Sequence, residues 1–299
     1  MRIGGLVRLG LRLAMVLVAF ATFADTARAQ DRWALVLGVS TYDSPLVTPL
    51  KNTLNDARTV AASLNNMGFK VYYLENATKN EINSALDLIE IDQPGREVGL
   101  FYFAGHAVQL EGQNFVLPSD IDPKGGKTLR TDAVSVNEVV ARMNAIGTRS
   151  LVVILDACRN SPLPGESASG TGLALVDAPP NTVIAYSTSP GAVAFDGAGA
   201  NSPYTAALAS SLEGSEKDFR DVLRLVRAKV RLATGGEQTP WYIDNTRAPI
   251  TIRPTNPIAP EELTELVSGR PMSLPLTAWL TLSLIHISEP TRRTPISYA

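Results

Sequence analysis

Five short apolar runs, each separated from the next by polar or helix-periodic sequence, constrain this chain more than any other feature. They are RWALVLGVS (residues 32–40), FKVYYLEN (69–76), EVGLFYFAG (97–105), RSLVVILDACRN (149–160) and NTVIAYSTSPG (181–191). Continuous apolar runs of this length suit strands buried on both faces. After the first run, Leu54, Ala57, Val60, Ala61 and Leu64 recur at helical spacing. Asn52 or Asn55 is placed to cap that helix and Gly68 to stop it. After the second, Ile82, Ala85, Leu86 and Ile89 line a helix that Thr78 is placed to cap.

The remaining sequence continues the pattern. VQLEGQNFVLPSD (108–120) reads as a hairpin turning at Glu111-Gly112, and residues 135–146 read as a third helix. SPYTAALASSL (202–212) and SEKDFRDVLRLVRAKVRLA (215–233) are two more helices, the second striped by Phe219, Val222, Leu223, Val226 and Val230. Its Arg and Lys residues form the solvated face. APITI (248–252) is expected as a last edge strand. Strands alternating with helices of crossover length predict an α/β fold: a mostly parallel sheet with helices on both faces. In such sheets ligand chemistry gathers at the carboxyl ends of strands.

The chain of 299 residues carries a formal net charge of −2, which gives no reason to expect a nucleic-acid partner. Residues 1–29 read as a secretory signal. Arg2, Arg8 and Arg12 precede the apolar stretch LAMVLVAFATFA, and Ala27-Arg28-Ala29 supplies small residues where a signal peptidase cuts. The stretch is short for a membrane span, so the expected product is exported, periplasmic or secreted, without stable membrane insertion. Removing the signal takes away four Arg and one Asp and leaves a net charge of −5. Residues 255–282 read as a Pro-rich exit segment with a short helix near 260–267. The tail SLIHISEPTRRTPISYA (283–299) resembles translated adaptor or vector read-through; it contains His286, one of two histidines.

Cys158 is the only cysteine in the chain, so no intrachain disulfide can form, and with so few thiols and imidazoles a structural zinc cluster is not expected. A free cysteine alone is most simply core packing. Cys158, however, leaves the fourth strand into a polar exit, and His106 follows the end of the third. If those strands are neighbours, an imidazole and a thiol meet on one sheet edge. Such a pair can generate a thiolate that attacks a carbonyl carbon, with the imidazolium protonating the leaving amine. The backbone N–H of Cys158 and one from the loop carrying His106 would serve the oxyanion. Asp156, two residues before Cys158, shares its side of the strand if alternation holds. It fits either a site for a basic group or a partner for Arg159 or another arginine.

YFAGHAVQ around His106 and VVILDACRNSP around Cys158 resemble the caspase-like cysteine peptidases of clan CD, family C14, in the bacterial metacaspase-related branch. LKNTLNDARTVAASLNNMGFKV, NTVIAYSTSPG and NSPYTAAL match further blocks in the same order, and the resemblance covers about residues 32–252. His106 and Cys158 stand 52 residues apart, near the spacing of about 50 that caspases show. The resemblance implies a three-layer α-β-α sandwich of the caspase-haemoglobinase type, with a six-stranded, mostly parallel sheet and a small hairpin insertion, over a catalytic domain at 30–254. It implies Cys158 as nucleophile, His106 as base, and the N–H groups of Cys158 and Ala107 as oxyanion donors. It further implies Asp56 and Asp156 as acids of a pocket for Arg or Lys, and Tyr186 and Ser187 as substrate contacts.

Paired carboxylates favour a cation and repel an acidic side chain. Without the resemblance, Asp56 is most simply a charge favourable to a helix N-terminus. Two departures stand out. Ala107 replaces the family's usual Gly, which matters only if the backbone there needs positive φ. The Gly/Pro/Ser-rich loop 161–180 holds no Lys or Arg, so it cannot be cut within itself after a basic residue. Trp241 either shelves a substrate side chain or packs. The expectation is thus a cysteine endopeptidase cleaving peptides or proteins after Arg or Lys. It requires no cofactor; the family raises calcium activation, with no ligands assignable here. The alternative is a caspase-like module that binds peptides or partners without cleaving them. A redox or metal-binding thiol protein would need a resolving cysteine or more ligands.

Overall fold

The computed structural model describes residues 32–123, 126–158, 173–174, 176–190, 192, 194–213, 217–252, 264–267 and 270–273. The expected signal at 1–29 and the tail at 283–299 lie outside them. In chain order the elements are β1 (Arg32–Gly38), α1 (Thr53–Asn66), β2 (Lys70–Glu75), α2 (Lys79–Asp92), β3 (Val98–Leu110), β4 (Gln113–Val116), α3 (Gly126–Asp132), β5 (Val134–Ser135) and α4 (Val136–Ala145). They continue with β6 (Ser150–Cys158), β7 (Thr182–Tyr186), α5 (Pro203–Leu212), β8 (Lys217–Asp218), α6 (Phe219–Ala233), β9 (Trp241–Asp244), β10 (Thr251–Ile252), β11 (Thr264–Val267) and β12 (Arg270–Ser273).

The main sheet runs β12-β11-β2-β1-β3-β6-β7-β9. Strands β2, β1, β3, β6 and β7 are parallel and β9 is antiparallel. Alternation along each strand divides the core into two layers. Leu35, Leu37, Leu74, Phe101, Phe103, Val153, Leu155 and Ile184 point to the side covered by α2 and α4. Val36, Val71, Leu100, Tyr102, Val152, Ile154 and Val183 point to the side covered by α1, α5 and α6. This is the α-β-α sandwich, and both layers exist because every central strand is apolar at odd and even positions alike.

Local signals set several boundaries. Thr78 and Glu81 form a capping box at the start of α2. Glu111 and Gly112 both adopt positive φ in the β3–β4 turn, as a tight hairpin with matched twist requires. Gly38 lets β1 approach α1: a Cβ there would lie 2.8 Å from Ala57 Cβ and 2.9 Å from Thr53 O.

Two expectations are corrected. Thr251–Ile252 does not edge the main sheet but pairs with Lys217–Asp218 in a separate ribbon; β9 takes the edge instead. Residues 264–267 form a strand rather than a helix, aligned in register with Tyr72 and Tyr73 of β2. In both places the local pattern is short, and pairing with a distant strand decides the conformation.

Candidate functional site

β3 and β6 lie side by side in parallel, and their register runs to the pair His106–Cys158. The backbone adjacency expected from the two strand ends is therefore present. The side chain of Cys158 lies outside the described residues, as do residues 159–172.

His106 is 6% exposed. Its Nε2 lies 2.7 Å from the carbonyl oxygen of Thr48, so Nε2 carries the proton and donates. Its backbone N–H donates to Tyr42 Oη at 2.9 Å, and the two rings sit 5.3 Å apart, tilted by 39°. Nδ1 is buried and has no hydrogen-bond partner among the described residues. Burial pushes the imidazole pKa down, opposed more weakly by the Thr48 carbonyl and by the charge of Asp196. The ring is thus a neutral imidazole held through Nε2. The Thr48 segment is itself tied down, because Ser40 Oγ donates to Leu50 O and Ser40 N–H donates to Asn76 Oδ1.

The carboxylates form a second cluster on the α1/α5 side. Asp56, 2% exposed, projects from the first turn of α1, and Asp156, 8% exposed, from the end of β6. Ser202 links them: its N–H donates to Asp56 Oδ1 at 2.8 Å and its Oγ donates to Asp156 Oδ2 at 2.6 Å. Asn201 Nδ2 also donates to Asp56 Oδ1. Thr205 Oγ1 donates to Asp156 Oδ2 at 3.0 Å, with Tyr102 Oη at 3.5 Å from the same oxygen. Neither acid belongs to an ion pair among the described residues. Burial first, then the charge of Asp156, pushes Asp56 up to about 8. Burial also raises Asp156, against the hydroxyls of Ser202 and Thr205.

Several members of this cluster carry no local sequence signal. Asp196 is half-buried, and its charge raises both acids. Its carboxylate accepts the N–H groups of Lys51 and Asn52, fixing the backbone just before α1 from a distant segment. Asn52, whose side chain makes no cap of its own, donates instead to Asp196 O and Gly197 O. Ser202 and Tyr42 were likewise not singled out by the sequence.

The other expected residues have these places. Ala107 is buried opposite Val116 and is not among the positive-φ residues, so alanine fits there without backbone strain. Tyr186 is buried, and its hydroxyl donates to Ala174 O. Ser187 is buried with its hydroxyl turned towards Asp156, in an approach that falls short of hydrogen-bond geometry. Trp241 is 38% exposed beneath the Arg227 guanidinium. No three His, Cys, Asp or Glu side chains among the described residues are arranged to hold a metal ion.

A parallel sheet between two helical layers, with a histidine and a cysteine opposite each other at adjacent strand ends, defines a caspase-like domain. Residues 31–250 match the family described as the Caspase domain, and the chain belongs to that family. Caspase-1 from Spodoptera frugiperda has the same fold, with a TM-score of 0.57 and 19% identity, over 74% of this chain and 89% of that one. The chain is 29% identical over 173 residues to mucosa-associated lymphoid tissue lymphoma translocation protein 1 of Homo sapiens, covering 58% of this chain and 20% of that protein. The Mus musculus homolog is 29% identical over 169 residues, covering 56% and 19%. The chain thus spans about a fifth of the length of the curated relatives it matches.

Family membership does not carry the activity with it, and the expected thiol endopeptidase is corrected here. The chain has a single cysteine, and no nucleophile stands against the imidazole among the described side chains. His106 directs Nε2 to a backbone carbonyl, and its Nδ1 meets no partner among the described residues. The described residues thus supply a caspase-like fold and an acidic cluster, but no Cys–His dyad. The hydrolase and protease descriptions rested on that dyad, and the described side chains do not supply it.

Proposed function

We propose that the domain is a caspase-like binding module that captures a peptide or protein segment through a lysine or arginine side chain. The observation that carries this reading is the Asp56–Asp156 pair, buried together with no cation against either among the described residues. Two adjacent carboxylates in a low-dielectric setting favour a cationic guest strongly, and a guanidinium matches them in charge and donor geometry. Half-buried Asp196 adds to the negative potential of the cluster. Ser202, Asn201 and Thr205 hold the acids in place before a ligand arrives, which reduces the ordering cost of binding. The match of Asp56 and Asp156 to acids of the metacaspase-related branch supports the same basic preference. The pattern of residues 1–29 supports action outside the cytoplasm, in the periplasm or beyond.

The test uses peptide amides ending in Arg, Lys or Asp, with the wild-type chain and Cys158→Ala side by side, with and without calcium. The Arg and Lys peptides are expected to bind both proteins alike, the Asp peptide to bind neither, and no amine to be released. Amine release that requires Cys158 would overturn the non-hydrolytic reading. Equal binding of all three peptides would overturn the acidic pocket.

A further inference from the structure

Resting on the reading of Asp56 and Asp156 as a cation site, we propose that the ligand-free pair holds one proton and that a basic side chain binds by displacing it to solvent.

The geometry points to this exchange. The hydrogen bonds to Asp56 fall on Oδ1, from Asn201 Nδ2 and Ser202 N. Those to Asp156 fall on Oδ2, from Ser202, Thr205 and Tyr102. Asp56 Oδ2 and Asp156 Oδ1 accept no hydrogen bond from the described residues. Each acid is therefore anchored by one oxygen and leaves the other for a proton or a ligand N–H. The charged and titratable groups facing the pair come from every element around it. They are Tyr102 from β3, Asp196 from the segment before α5, and Tyr204 from α5. Beside them are the neutral Asn201, Ser202, Thr205 and Ser187. At neutral pH these groups are anionic or uncharged. Arg58, two residues along α1, pairs with Glu75 instead.

Two ionised carboxylates beside a third acid, buried without a cation, repel one another, and retaining a proton relieves that repulsion. Asp56 is the group that keeps it. Asp156 receives the hydroxyl donors that favour its ionised form, whereas Asp56 is lifted to about 8 by burial and by its neighbour. On binding, the Asp56 O–H bond breaks and its proton passes to a buffer base. The carboxylate so formed accepts an N–H of the incoming ammonium or guanidinium, whose own charge is unchanged.

The experiment is calorimetric titration of an Arg-ended peptide amide into the whole chain, in two buffers of different ionisation enthalpy at pH 7, with affinities from pH 6 to 9. About one proton should be released per peptide bound, and affinity should rise about tenfold per pH unit up to about 8 and level off above it. A ligand-free arm follows urea unfolding of wild type and Asp56→Asn across the same range. Wild-type stability should fall relative to the variant as pH rises towards 8. Peptide binding with identical heats in both buffers and an affinity independent of pH overturns the proton exchange and leaves the basic-peptide reading standing. Absence of binding at any pH overturns both. Parallel stability curves for wild type and Asp56→Asn overturn the stored proton by themselves; if the variant does not fold, the wild-type calorimetry decides.

Discussion

The His106 end of β3 and the Asp56–Asp156 cluster lie on neighbouring elements, yet their titratable groups are disfavoured in opposite charge states. The imidazole donates to a backbone carbonyl and is pushed towards its neutral form. The carboxylates accept from fixed donors but have no described counter-charge, so burial and mutual repulsion push them up. The consequence for pH is opposite in sign. For His106, whose folded pKa lies below the ordinary value of about 6.5, the unfolded chain binds more protons, and stability is lost as pH falls below that value. For Asp56 the folded chain binds more protons between its ordinary value near 4 and about 8, so stability is lost as pH rises through that window. One region holds its ring through Nε2 on a backbone carbonyl, and the other holds two acids with no cation against them among the described residues.

The largest expected effect separates the two regions by ligand. Asp156→Asn keeps an acceptor for Ser202 and Thr205 but removes a charge. Affinity for an Arg-ended peptide should fall about a hundredfold, the equivalent of about 3 kcal/mol for a charge-assisted contact, while unfolding stability changes by no more than about 1 kcal/mol. Titration calorimetry and urea unfolding measure both; a large loss of stability with affinity intact would reverse the assignment. His106→Ala removes the hydrogen bond to Thr48 and the contact with Tyr42, and should lower stability by about 1–2 kcal/mol at pH 8. Because the variant lacks the titrating ring, its deficit should shrink as pH falls from 7 to 5. A deficit that grows in acid would show that the ring is stabilised as a cation.

Two smaller effects sharpen the picture of how the acids are held. Asp196→Ala removes the acceptor of two N–H groups just before α1 and should lower stability by about 1 kcal/mol in thermal or urea unfolding, the usual net size of a hydrogen bond. Thr205→Val removes the hydroxyl between Tyr102 and Asp156 and should lower stability by about 0.5–1 kcal/mol. No change in either variant would mean that the bonds are replaced by solvent.

The strand and helix order was legible because the central strands are apolar on both faces and the helices carry one clear stripe each. The backbone pairing of His106 with Cys158 was expected on condition that the third and fourth runs are neighbours, and they are. The Thr78 cap and the Glu111-Gly112 turn were legible for the same reason: their signals are complete within a few residues. The peptidase expectation rested on residue identity at two strand ends, which does not report what the imidazole's nitrogens meet. The place of β9 was missed because a four-residue, half-exposed strand after Pro240 has little pattern to detect. Asp196 was missed for another reason. Its partners, Lys51 and Asn52, lie 145 and 144 residues away, and nothing in the surrounding sequence shows that a loop will hold a distant segment.

The most direct test is to titrate the chain with two peptide amides identical but for a terminal arginine or citrulline, which share size and shape and differ in charge. The account predicts that the arginine peptide binds at least about a hundredfold more tightly at pH 8 and is recovered uncut. Equal affinity for the two, or recovery of the arginine peptide as cleaved products, would contradict it.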